Sequence, residues 1–236
     1  MENITESKQL ISEAKNIYLI SSQEPEALSA VMALFYTLKE LGKNVNLVIE
    51  SLPEKLKFLS PSLDFISYPK NFVISIPSNM AKISQIHYEK TENDLKVHLT
   101  IDNGIIKKDN IAFYFAEAKP DLIITAGVKD YAKQLSESLN SFGFLLDSPI
   151  LNIDNSKDNY NFGRINLVED KALAEMIFAI LPATSKEASN CLLTSLVAGT
   201  ENFKNKLTAE IFGIAGILMK NGADLAQIQN NIFKNA

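Results

Sequence analysis

Apolar residues fall into short unbroken runs that alternate with stretches of helical spacing. The first run, "NIYLIS" (16–21), reads as a buried strand. A helix is predicted from about Gln23 to Leu41, because Leu28, Val31, Met32, Phe35 and Leu38 recur on one helical face, and Gly42 closes it. "NVNLVIE" (44–50) is then a second strand. A strand, a crossover helix and a strand form the unit of a parallel sheet. "PEKLKFL" predicts a short helix, and "DFISY" and "NFVISI" predict strands.

The period changes after Pro77. "KISQIHYEKTENDLKVHLTIDNGIIKKDNIAFYF" alternates apolar and polar residues, with turn signals at "TEND" and "DNG". It reads as an antiparallel hairpin or meander inserted at about 78–116. The α/β alternation then resumes: "DLIITAG" as strand, "DYAKQLSESLNSF" as helix, "PILNI" as strand. From about residue 170 to 236 the chain is mostly helical. "KALAEMIFAIL", "SKEASNCLLTSLVAG", "TAEIFGIAGILMKNG" and "ADLAQIQNNIF" are divided by Gly or Pro. The expected architecture is one α/β domain over 1–236: a Rossmann-like three-layer parallel sheet, a β insertion and a helical C-terminal part.

Composition adds exclusions. A net charge of −5 argues against general nucleic-acid binding. The basic spot "IIKKDN" is too small to reverse that. One cysteine, Cys191, excludes an internal disulfide and a Cys-rich zinc site, and its apolar surroundings mark it as a core residue. The polar start "MENITESKQL" is no signal peptide, and no apolar run is long enough for a membrane span. The expected compartment is the cytoplasm.

Chemistry concentrates at "ILNIDNSKDNYNFG" (150–163). An Asp just past an apolar strand marks many metal or phosphate sites in α/β proteins, and open sheets bind ligands at that edge. Here Asp154 is followed by Asn155 and Ser156, which are weak ligands. Glu24 and Glu26 stand at the predicted start of the first long helix. They read first as helix N-terminus chemistry, since Ser21 and Glu24 have capping-box spacing and Pro25 suits the first turn, and second as part of a reduced metal site. His87 and His98 fall in the insertion, and their separation alone does not define a metal pair.

Several of these stretches together resemble the N-terminal domain of the DHH-type phosphoesterases. That family includes oligoribonucleases that dephosphorylate phosphoadenosine phosphate, exopolyphosphatases, pyrophosphatases and cyclic dinucleotide hydrolases. In "LISSQEPEALSAVMALFYTLKELGK" the family's first-motif aspartates fall on Glu24 and Glu26, and its histidine on Ile20. The second-motif aspartate falls on Gly127 of "DLIITAG". The Asp-His-His signature reads Asp154, Asn155, Ser156, followed by Asn159, Phe162 and Gly163. In "SLVAGTENF" Thr200 and Phe203 match the fourth motif, and its aspartate is Gly199. The C-terminal substrate-binding domain of the family has no counterpart in this sequence.

The resemblance implies two Mn²⁺ or Mg²⁺ ions about 3.5–4 Å apart, held by carboxylates and imidazoles. At those positions the chain offers Asp154 and two glutamates. The expectation is therefore a DHH-like protein without catalysis or metal, acting as a binding or scaffolding module for a protein partner or a nucleotide. Two alternatives stand beside it. One is a phosphoesterase on short oligoribonucleotides or small phosphoesters, with a reduced Mn or Mg site built from Glu24, Glu26 and Asp154. The other is a metal-free nucleotide sensor, with Asn155, Ser156, Asn159, Gly163 and Thr200 around the ligand. The sequence is silent on oligomeric state.

Overall fold

The computed structural model describes residues 2–48, 52–60, 70–117, 119–134 and 148–233. Five apolar strands, β1 (Asn16–Ser21), β2 (Asn44–Val48), β7 (Leu122–Ala126), β8 (Ile150–Asp154) and β9 (Ile165–Val168), lie parallel in the order β2-β1-β7-β8-β9. Successive side chains point to opposite faces of the sheet. Ile17 and Leu19 join the main core, whereas Tyr18, Ile20, Ile123, Tyr131 and Ile150 form a smaller cluster. The fold is α/β, as the strand and helix alternation predicts.

The main core is built around α2 (Pro25–Glu40). All residues from Ala27 to Leu38 are buried, so the helix is apolar all round rather than on one face. It packs on the sheet and on α5 (Lys186–Gly199). Pro25 takes the first turn, and Glu24 is the N-cap, with no side-chain cap bond. Ser21 lies inside β1 with its hydroxyl unpaired, so the anticipated Ser21–Glu24 capping box does not form. At the other end Gly42 adopts φ +73°, and the N–H of Lys43 reaches back to Leu38 O at 3.0 Å. This is a Schellman-type stop that favours glycine.

The helical part follows the predicted segments: α4 (Leu173–Ile180), α5, α6 (Ala209–Lys220) and α7 (Leu225–Phe233). A short α3 spans Tyr131–Gln134, and residues 135–142 of that predicted helix lie outside the described residues, as does "DFISY". The "PEKLKFL" segment is a 3-10 helix, Glu54–Leu59. Two elements have no counterpart in the periodicity reading. α1 (Glu2–Glu13) buries Ile11 against the core, and β9 extends the sheet. No helix among the described residues is long and apolar enough to cross a membrane.

Residues 70–118 form a separate compact unit. Within it β3 (Lys70–Ser75) pairs antiparallel with β6 (Ala112–Glu117), and β4 (Ala81–Lys90) with β5 (Leu95–Gly104). "NFVISI" therefore belongs to this unit and not to the parallel sheet. The β4–β5 turn falls at Thr91–Asp94, where Thr91 N–H donates to Asp94 O at 2.8 Å. "DNG" is no turn: Asn103 and Gly104 are paired strand residues opposite Lys82 and Ala81. Gly104 has φ +95° and lies against Met80 O, which leaves no room for a Cβ.

The burial of α2 predicts a large effect at its centre. Phe35 is 1% exposed and meets Tyr36 edge-on. Phe35→Ala is expected to lower stability by about 3–5 kcal/mol in urea unfolding, with little change in the denaturant slope.

Candidate functional site

The carboxyl end of β8 and the N-termini of α2 and α4 bring two carboxylates into one polar cluster. Asp154 is the last residue of β8 and is 2% exposed. Its Oδ1 accepts from the Asn155 N–H at 2.8 Å, and its Oδ2 from the Asn159 amide at 2.7 Å. Glu26 lies in the first turn of α2, and its Oε1 accepts from the Leu173 N–H at 2.8 Å. Leu173 opens α4, so the Glu26 carboxylate sits at the positive ends of two helices. The Asn155 side-chain amide donates to both Glu26 oxygens at 3.3 Å.

Burial raises the pKa of Glu26 above its usual value. The Leu173 N–H, the Asn155 amide and the Lys206 charge oppose that rise, and Asp154 adds to it. The two carboxylates thus influence each other, yet each has its own donors. Glu24 is exposed and makes no cap bond, so it does not join them.

A second layer supports Asp154. Thr125, Asn152 and Asn166 are register partners across β7, β8 and β9. The Thr125 hydroxyl donates to Asn152 Oδ1 at 3.1 Å, and the Asn152 amide donates to Asn159 Oδ1 at 2.8 Å and Asn166 Oδ1 at 3.1 Å. The Asn159 amide also donates to Val128 O at 2.9 Å. Gly163 is bracketed by Asn166, whose side chain bonds both its N–H and its carbonyl. A buried amide must find partners, and here Asn152, at 0% exposure, finds three. Sequence reading missed Thr125, Asn152 and Asn166. The available signal was an Asn inside the apolar run "PILNI".

Thr200 ends α5 and is fully buried. Its hydroxyl donates to Leu196 O at 2.7 Å and accepts from the Phe203 N–H at 3.1 Å. Its carbonyl accepts from the N–H groups of Lys204 and Asn205. Glu201, Asn202 and Phe203 follow with φ of 49°, 60° and 56°, a strained left-handed turn for residues with a Cβ. Thr200 therefore fastens the turn and is not free to meet a ligand. Ser156 accepts from the Asp158 N–H at 3.3 Å. Among the residues anticipated around a ligand, Asn155, Asn159, Gly163 and Thr200 are tied into the protein's own bonds.

The positions that the resemblance matches to metal ligands have defined surroundings. A Cβ on Gly199 would stand 2.5 Å from Glu26 Cδ, so a side chain there would require the Glu26 carboxylate to shift. Gly127 has φ +64°, and a Cβ there would lie 2.8 Å from Ala27 Cβ and 3.0 Å from Ser22 Oγ. Ile20 is 1% exposed and packs in the smaller cluster. No group of three or more His, Cys, Asp or Glu side chains among the described residues is arranged to hold a metal. His87 and His98 lie in the separate unit, and Cys191 is a buried thiol in the core whose pKa burial pushes up. A cavity of about 230 Å³ lies elsewhere, between Ile4, Leu167, Met176, Phe178 and Ile214, with Glu169, Lys171, Glu175 and Glu210 also lining it.

No protein-family profile matches the chain, and no curated protein matches it in sequence. A solved structure does. The chain is similar in fold to an exopolyphosphatase-related protein from Bacteroides fragilis, with a TM-score of 0.69 and 16% identity over 99% of this chain. It spans 60% of that protein's length. The chain thus shares the α/β fold of that structure.

Three outcomes follow from the site. Gly199→Asp is expected to destabilise by about 2 kcal/mol or more, because it drives a second carboxylate into Glu26. Thr200→Val, measured in the same urea unfolding assay, is expected to cost about 1–3 kcal/mol by orphaning the Phe203 N–H. The third concerns pH. A carboxyl whose folded pKa is raised stabilises the fold below its unfolded value, near 4.5, and that stability is lost as pH rises through the folded value. Unfolding measured from pH 4 upward should show Glu26→Gln gaining on the wild type across that window, and a constant difference would contradict it.

Proposed function

We propose that this chain is a DHH-type phosphoesterase-like protein whose hydrolytic centre has been replaced by a hydrogen-bonded polar cluster, and that it works by binding rather than by hydrolysis. One observation carries the reading. The Glu26 carboxylate lies where a Cβ on Gly199, the position matched to the fourth-motif aspartate, would stand, and it is bonded by Leu173 and Asn155. In a two-metal hydrolase the carboxylates face a shared pair of cations, which activate water and steady the leaving oxygen. In this chain Glu26 and Asp154 face separate N–H donors. The side chains at the signature positions Asn155 and Ser156 offer no imidazole.

The β insertion supports a binding role. Strand alternation gathers Ile86, Tyr88, Leu95, Val97 and Leu99 on one face of the β4–β5 ribbon, and Ile86, Tyr88 and Leu95 are 70%, 75% and 66% exposed. Two-stranded ribbons are marginal alone in water, and contiguous exposed apolar surface marks interaction sites. A scaffolding or partner-binding role fits that surface.

The test is hydrolysis. Short oligoribonucleotides, phosphoadenosine phosphate and bis-p-nitrophenyl phosphate are incubated with the chain and Mn²⁺ or Mg²⁺. The expected result is no metal-dependent turnover. Turnover that Asp154→Ala abolishes would overturn the proposal and restore the reduced-metal phosphoesterase. Thermal stabilisation by nucleotides without metal would instead favour the sensor.

A further inference from the structure

Three helices leave a space beside the last strand of the parallel sheet. α1 lies against β9, where the Asn3 side-chain amide donates to Asn166 O at 3.1 Å. α4 and α6 bound the other sides, and a cavity of about 230 Å³ remains between them. Ile4, Leu167, Met176, Phe178 and Ile214 line it, and Leu167 and Met176 are buried. Four charged side chains also line it: Glu169, Lys171, Glu175 and Glu210. Glu169, Lys171 and Glu210 are exposed, so the charges stand on the solvent side of an apolar floor. We propose that this cavity binds a small amphipathic ammonium compound, in which an apolar body the size of an aromatic ring carries a protonated amine on a short chain.

Size and charge select that class. Protein interiors hold few voids larger than a water molecule. An apolar cavity of about 150 Å³ takes up benzene, so the larger space here accommodates a ring with a short chain. The Lys171 ammonium bonds to Glu169, and that bond raises its pKa, with the Glu175 and Glu210 charges adding to the rise. Three carboxylates thus gather around one ammonium, which leaves negative charge in excess at the mouth. Glu169 is engaged by Lys171, and Glu175 Oε1 accepts from the Ala172 N–H at 3.0 Å. Glu210, in the first turn of α6, is the carboxylate left to meet a ligand's ammonium. A charge-assisted bond beside apolar surface is stronger than a neutral one. A neutral ligand of the same shape forgoes that bond, and an anion meets repulsion. None of Glu26, Asp154, Asn155 and Asn159 lines the cavity, so the inference stands apart from the question of hydrolysis.

The test is an NMR titration of the full chain with 2-phenylethylammonium as the probe, beside 2-phenylethanol, phenylacetate and ethylammonium. Expected are saturable shifts of the Leu167, Met176 and Ile214 amides, half complete below about 1 mM probe. The neutral alcohol and ethylammonium should bind about five-fold or more weakly, and phenylacetate more weakly still. Glu210→Gln should weaken the ammonium about five-fold and leave the alcohol unchanged. Ala179 is an exposed α4 residue that also lines the cavity, so Ala179→Phe should fill the space and abolish binding of both. Both substituted positions are exposed, and unchanged thermal unfolding of the variants confirms that they fold. Phenylacetate binding as tightly as the ammonium would assign the cavity to anions through Lys171 and overturn the proposal. Equal ammonium affinity in Glu210→Gln, or no saturation by about 10 mM probe, would overturn it as well.

Discussion

A carboxylate removed from water needs either a cation or a set of N–H donors. In the parallel-sheet unit, N–H donors meet two carboxylates. Asp154 and Glu26 stand near each other at the carboxyl edge of the sheet, and each is held by its own donors. The donors come from a strand end, a loop and the start of α4, so satisfying two charges also fixes three chain segments. The supporting amides of Asn152 and Asn166 carry that order across β8 and β9.

This arrangement gives a common physical account of residues that look unrelated in the sequence. Gly199 leaves room for the Glu26 carboxylate, and Gly127 lets the chain pass against Ala27 and Ser22. Asn155 supplies an amide donor to both Glu26 oxygens. Ile20 makes its position part of an apolar cluster. The result is a closed set of bonds at the edge where open α/β sheets meet their ligands. Thr200 belongs to the same economy, since its hydroxyl and carbonyl anchor the left-handed turn at 201–203.

Strong periodicity made the α/β frame legible. "NIYLIS", "DLIITAG" and "PILNI" are sheet strands, and the four late helices lie within their predicted segments. β9 escaped because "INLV" is too short to show a period, and α1 because its face is mostly polar. The turn at "DNG" was misread because a positive-φ glycine serves a close backbone approach as well as a hairpin. At the site, the residue types could be read from the sequence, but their contacts could not. That Glu26 would stand beside Gly199, or that His87 would face His98, depends on contacts between residues apart in the chain.

On the proposed reading, hydrogen bonds stand where cations would otherwise balance the carboxylates. Residue-resolved NMR during a Mn²⁺ titration tests it most directly, because a bound paramagnetic ion broadens the amides around it. No saturable broadening is expected at Glu26, Asp154, Asn155 or Gly199. Saturable broadening centred on those amides, and lost in Asp154→Ala, would contradict it.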